Sequence, residues 1–169
     1  MKLSTIKTFG LSTILMLSIV FMSIAQEKAS PAKTAEGSIN GAKITVNYSS
    51  PGVKGRTIFG DLIPLGKVWR AGANEATLFE TSKDIQVEGK DLPAGKYSFF
   101  IIPGENSSTF IFNNQTGQWG TKYDESKDAL RVSVSSNQTN SLTENLIYNV
   151  VDDGLEVKWE YGRAKASIK

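Results

Sequence analysis

From residue 43 onward, apolar and polar side chains alternate with period two in short runs, and no sustained helical stripe interrupts them. Successive side chains of a strand point to opposite faces, so a chain patterned in this way is built to bury one face of a sheet. Residues 43–48, 76–81, 85–87, 96–102, 109–113, 130–134, 142–151, 155–159 and 163–168 read as strands. Gly89-Lys90, Pro103-Gly104 and Asp152-Asp153-Gly154 break them apart. About nine strands at this spacing predict an all-β domain. We expect an antiparallel two-sheet sandwich, jelly-roll or immunoglobulin-like, with Ile44, Leu78, Phe99, Phe110, Phe112 and Trp159 among its inward residues. One long Gly-rich loop interrupts it, and residues 57–62 and 124–130 each have room for one helical turn.

The N-terminal residues follow another pattern. Lys2 and Lys7 precede an uncharged, apolar stretch from Phe9 to Ile24, and Ser23-Ile24-Ala25 is a small-x-small cleavage tripeptide. This is the layout of a secretory signal, and the stretch is shorter than the roughly 20 residues of a spanning helix. We therefore expect a signal peptide over 1–25, a flexible polar linker over 26–37 and a single domain over 38–169, without a membrane span in the mature chain. The protein would be periplasmic or secreted.

Lys2 and Lys7 account for the whole formal net charge of +2, so the remainder is balanced and offers no basic face to a nucleic acid. The sequence contains no Cys and no His. That removes disulfides, thiolate and imidazole metal ligands, and Ser-His-Asp or Cys-His catalysis. No metal or cofactor is expected, and any catalysis must run on carboxylates, Lys, Tyr or an oxygen-bound metal.

Several motifs are nonetheless distinctive. Tyr48-Ser49-Ser50-Pro51-Gly52-Val53-Lys54-Gly55-Arg56-Thr57 leads into Gly66-Lys67-Val68-Trp69-Arg70-Ala71-Gly72-Ala73-Asn74-Glu75. Leu92-Pro93-Ala94-Gly95-Lys96-Tyr97, Gln118-Trp119-Gly120 and Tyr123-Asp124-Glu125-Ser126-Lys127-Asp128 follow. Together they resemble domain-of-unknown-function family 2911, exported proteins of Bacteroidetes and related bacteria, over roughly residues 38–168. The resemblance implies export and a compact β domain and no particular activity. It departs from the family at Ser50, where Arg is usual.

The segment from Pro51 to Thr77 is long for a connection in a β domain. It carries Lys54, Arg56 and Arg70, the aromatic Trp69 and the pair Asn74 and Glu75. As a pocket, its cations would hold an anionic or polyhydroxyl ligand, Trp69 would stack, and Asn74 and Glu75 would hydrogen-bond. As architecture, which we prefer for this segment, it is an Ω-like loop in which Arg70 pairs with Glu75 or Asp61 and Trp69 is core. Trp119, with Tyr123 and Asp124 nearby, is either a sugar-stacking face or a lid on the core. The acids at 124, 125, 128, 152 and 153 could form a Ca²⁺ site or a glycosidase pair, but Asp124 reads better as a helix cap and Asp152-Asp153-Gly154 as a hairpin turn.

The leading expectation is a non-catalytic module that binds a glycan or other cell-envelope ligand. One alternative is a carboxylate-dependent hydrolase using Glu75 with an acid such as Asp124. A second is a structural or assembly protein of the envelope, in which the conspicuous residues are all buried and no cleft exists.

Overall fold

The computed structural model describes residues 29–169, so the predicted signal segment and residues 26–28 of the predicted linker lie outside it. Its strands are β1 (Ala32–Ile39), β2 (Ala42–Ser49), β3 (Thr77–Thr81), β4 (Ile85–Val87), β5 (Lys90–Leu92), β6 (Gly95–Ile102), β7 (Ser107–Asn113), β8 (Asp128–Val151) and β9 (Gly154–Ser167). Seven form one antiparallel sheet in the order β1-β2-β3-β6-β7-β8-β9, and β4 and β5 pair separately. The chain is all-β as predicted. In place of two facing sheets there is one large sheet curled nearly into a barrel, with a two-stranded ribbon beside it.

The curling comes from the last two strands. Residues 130–134 and 142–151, read from sequence as separate strands, are two halves of β8, and 155–159 and most of 163–168 are two halves of β9. The β8–β9 ribbon loses register between Gln138 and Thr143 and again between Thr143 and Ile147, opposite Glu160, whose φ is +53°. Register shifts of this kind bend a ribbon sharply. Here β9 folds back until its ends meet: Ile168 N–H donates to the Asp153 carbonyl at 3.0 Å, and Lys165 Nζ reaches the Asp153 carboxylate at 2.6 Å. A Cβ on Gly154 would lie 2.0 Å from the Ala166 carbonyl oxygen, so only glycine fits this approach. The folded ribbon returns the second half of β8 to the start of the domain. There Leu146 N–H bonds the Pro51 carbonyl (2.9 Å) and Ser50 Oγ donates to the Leu146 carbonyl (2.8 Å).

β1 replaces most of the expected linker. Residues 32–37 pair with β2 one by one, and the pattern hides this because β1 exposes most of its side chains. In β3 the sequence places Leu78 inward, whereas Phe79 is buried and Leu78 is half-buried. The alternation Thr77-Leu78-Phe79-Glu80-Thr81 fits either face. It settles with both threonines inward because each hydroxyl finds a carbonyl: Thr77 Oγ1 donates to Ala71 (3.0 Å) and Thr81 Oγ1 to Lys83 (2.7 Å). Phe79, Phe99, Phe110 and Phe112 form the fully buried centre, with edge contacts of 4.9 Å for Phe79–Phe112 and 5.1 Å for Phe99–Phe110. One predicted helical turn is present, a 3₁₀ turn Glu125–Lys127 capped by the Asp124 carboxylate on Ser126 N (3.0 Å). Residues 57–62 form a tight turn instead. No helix among the described residues is long and apolar enough to cross a membrane.

Candidate functional site

The long connection after β2 is stitched to the sheet along its length. Val53 N–H bonds the Glu144 carbonyl (2.7 Å), which lays residues 51–53 beside β8. Ile58 and Ile63 are buried and close the tip of the loop with an N–H(63) to O=C(58) bond of 2.8 Å. Trp69 and Ile101 exchange both backbone bonds (2.8 and 2.9 Å), so this stretch occupies the edge of β6 beyond the end of β3. Ala71, fully buried at φ +52°, accepts from Thr77 Oγ1 and from Tyr148 Oη (2.6 Å). The expected Arg70–carboxylate pairing does not do this work. Arg70 Nε donates to the Gly72 carbonyl at 3.3 Å, and the guanidinium makes no ion pair among the described residues. Backbone pairing with β6 and β8 holds the segment, which a Gly-rich sequence does not announce.

A second tie comes from the bend of β9. The Glu160 carboxylate accepts from Ile58 N (3.1 Å) and Phe59 N (3.2 Å). Gly162 leaves room for the Phe59 ring, since a Cβ there would fall 2.7 Å from Phe59 Cε2. Phe59 in turn meets Trp69 edge-on at 6.1 Å and Trp159 at 6.3 Å, and the two indoles stack at 5.7 Å with 19° between their planes. Trp159 is buried while Trp69 is half-buried, so Trp69 is at once a cover for the core and part of an open surface. The Trp159 indole N–H has no hydrogen-bond partner among the described residues.

Two cavities border this aromatic pair. The first, about 900 Å³, has Lys54, Arg56, Lys67 and Arg70 in its wall and, among the described residues, no carboxylate. Arg56 is held in place by its own loop, Nε to the Val53 carbonyl (3.0 Å) and Nη2 to the Gly52 carbonyl (2.6 Å). The opposite wall comes from the Trp119 region. Gly120 N–H bonds the Asn74 carbonyl (3.1 Å) and Ala76 N–H the Gln118 carbonyl (3.2 Å), which packs Gly120 under the Arg70 side chain. Tyr123 also lines this cavity. Its hydroxyl donates to Asp128 Oδ2 (2.6 Å) and accepts from Arg131 Nη2 (2.6 Å), and burial first, then the Asp128 bond, pushes it up to about 12. Tyr123 thus presents a neutral ring with its polar end committed.

Five residues singled out by sequence, Lys54, Arg56, Trp69, Arg70 and Tyr123, therefore meet at one concave surface. The other four do not line it. Asn74 donates to Ser49 Oγ (3.1 Å), and Glu75 borders a shallow groove across β1 and β2. Trp119 is half exposed on the outer side of the 74–76 pairing, and Asp124 caps its helical turn. The acidic clusters are likewise engaged: Asp128 takes Arg131 Nε at 2.6 Å and Asn113 Nδ2 at 2.7 Å, and Asp153 takes Lys165. Sequence reasoning missed Lys67, although it stands two residues before Trp69, and it missed Glu160, whose role needs the bend in β9.

The second cavity, about 670 Å³, lies against the same indole pair and is walled by the 103–106 connection, the middle of β8 and the β9 bend. Its polar groups are mainly amides and hydroxyls, Asn106, Ser108, Ser136, Asn137 and Gln138.

Residues 30–168, almost all of this described structure, match the family model for a protein of unknown function, DUF2911. The chain belongs to the DUF2911 family. No curated protein and no solved structure matches it. Within this DUF2911 domain, the described residues that wall both cavities lie inside the matched span, apart from Ala29 of the first.

Proposed function

We propose that the protein is an exported, non-catalytic binding module that holds an acidic glycan of the cell envelope in the cationic cavity. The observation that carries this reading is four cationic side chains around one cavity, with no acidic residue in its wall among the described residues and a half-buried indole at its base. In a chain whose charge is otherwise balanced, such segregation favours an anionic ligand, with Arg70 and Arg56 suited to carboxylate or phosphate oxygens. Export rests on the Lys2/Lys7 and Phe9–Ile24 pattern with Ala25 at the cut. The hydrolase alternative, Glu75 with an acid such as Asp124, gains no support from this cavity, because neither residue lines it. The purely structural alternative required that no cleft exist, and a half-buried Trp69 beside Arg70 speaks against it.

Isothermal titration with oligogalacturonate and with a phosphorylated oligomannoside tests the reading, one probe offering carboxylates and the other phosphates. At least one should bind, and Arg70→Ala should weaken it about tenfold, the value of one charge-assisted hydrogen bond. Absence of binding by both, or affinity unaltered in Arg70→Ala combined with Lys54→Ala, would overturn it.

A further inference from the structure

We infer that the amide-lined cavity on the other side of the Trp69–Trp159 pair is a second binding site, for an uncharged, hydroxyl-rich saccharide. The inference stands apart from the reading of the cationic cavity, because it rests on different walls with different chemistry. Three ionic groups other than Glu105 are present or adjacent, and each is already used. Glu160 accepts from the Ile58 and Phe59 amides, and Arg163 Nε is bound to Glu156 at 2.5 Å. Apart from the exposed carboxylate of Glu105, the polar groups left facing the space are neutral. Asn106, Asn137 and Gln138 are exposed amides, each able to donate and accept at once, which is the pattern that vicinal hydroxyls match.

The backbone that carries these groups is held together. Ser136 N–H bonds the Asn106 carbonyl (3.1 Å), tying β8 to the connection between β6 and β7. Ser108 Oγ donates to Ser136 Oγ (3.1 Å), and Ser136 Oγ donates on to the Gly104 carbonyl (3.3 Å). Gln138 lies opposite Gly162 in the ribbon, next to Tyr161, which is 46 % exposed. A large aromatic exposed beside amides at a cavity mouth offers an apolar face to the C–H side of a pyranose while the amides take its hydroxyls. The volume, about 670 Å³, falls within the range of small-ligand sites. Trp69 and Trp159 form the floor shared with the cationic cavity, so one aromatic wall serves two chemistries.

The test uses the protein expressed from its full sequence, titrated with cellohexaose and with maltohexaose as β- and α-linked uncharged probes. At least one should bind. Tyr161→Ala and Gln138→Ala should each weaken it about tenfold, with Tyr161→Phe retaining most of the affinity and separating loss of the ring from loss of folding. Binding should be unchanged in Arg70→Ala and between about 0.05 and 0.5 M salt, as expected when no ion pair forms. Absence of binding by both probes overturns the inference. So does affinity unaltered in Tyr161→Ala and Gln138→Ala, or lost in Arg70→Ala. If the acidic probes fail while an uncharged one binds in this way, the cationic reading falls and this site stands.

Discussion

Glu160 is a residue whose backbone cost and side-chain use can be separated. Its φ of +53° is a conformation that disfavours any L side chain by about 1 kcal/mol or more. Its carboxylate meanwhile accepts two backbone N–H groups of the loop that divides the cavities. Charge-assisted bonds of this kind contribute about 1.5–3 kcal/mol. Glu160→Ala keeps the strained backbone and loses the tie, so it should destabilise by about 2 kcal/mol. Glu160→Gly loses the same tie but relieves the backbone, and its loss should be smaller. Urea unfolding of the two variants checks this, and equal losses would mean that the positive φ carries no strain of its own.

At the scale of elements, the folded β8–β9 ribbon shows what alternation reveals and what it conceals. The inward face of the first half of β9 was legible, because Leu155, Val157 and Trp159 alternate with Glu156 and Lys158. β6 and β7, by contrast, are apolar runs in which Phe100 and Ile111 are buried beside the inward Phe99, Phe110 and Phe112. That 130–134 and 142–151 are a single strand was not legible, since a bulged, solvent-facing middle looks like a loop. β1 was hidden for a related reason: a strand with few buried side chains has no apolar face to read. The sharp bend in β9 is held partly by Glu156, nearly buried among Lys158, Arg163 and Asn149. Burial works to raise its carboxyl, but the bonds from Lys158, Arg163 and Asn149 outweigh it and bring it down to about 2. A carboxyl lower in the folded state than in the unfolded chain stabilises fully above about pH 4.5, and that contribution fades as pH falls towards 2. The contribution is about 3 kcal/mol at neutral pH. Denaturation midpoints should therefore drop between pH 5 and about pH 2, and Glu156→Gln should flatten part of that drop. Parallel pH profiles for the two proteins would count against it.

Taken as a whole, the molecule gathers charge locally while staying close to neutral overall, and this is why composition could not reveal the site. A balanced count of acids and bases constrains only the net charge, and four cations still meet along the 51–73 connection. Sequence reasoning found Lys54, Arg56, Trp69 and Arg70 because the connection was too long for a β domain. It singled out Trp119 separately, with Tyr123 and Asp124, because glycines flank it. The structure separates the two tryptophans: Trp69 stacks on Trp159 beneath both cavities, and Trp119 stands 49 % exposed beyond the pairing of residues 74–76 with 118–120. Indole emission follows the polarity around each ring, so ligand entering either cavity should alter the Trp69–Trp159 pair and leave Trp119 as a constant background. In Trp119→Phe the ligand-induced change should persist at nearly full amplitude on a lower baseline, whereas in Trp69→Phe most of it should vanish. A change that disappears with Trp119 instead would move the ligand to the exposed face of the 118–120 segment and away from the cations.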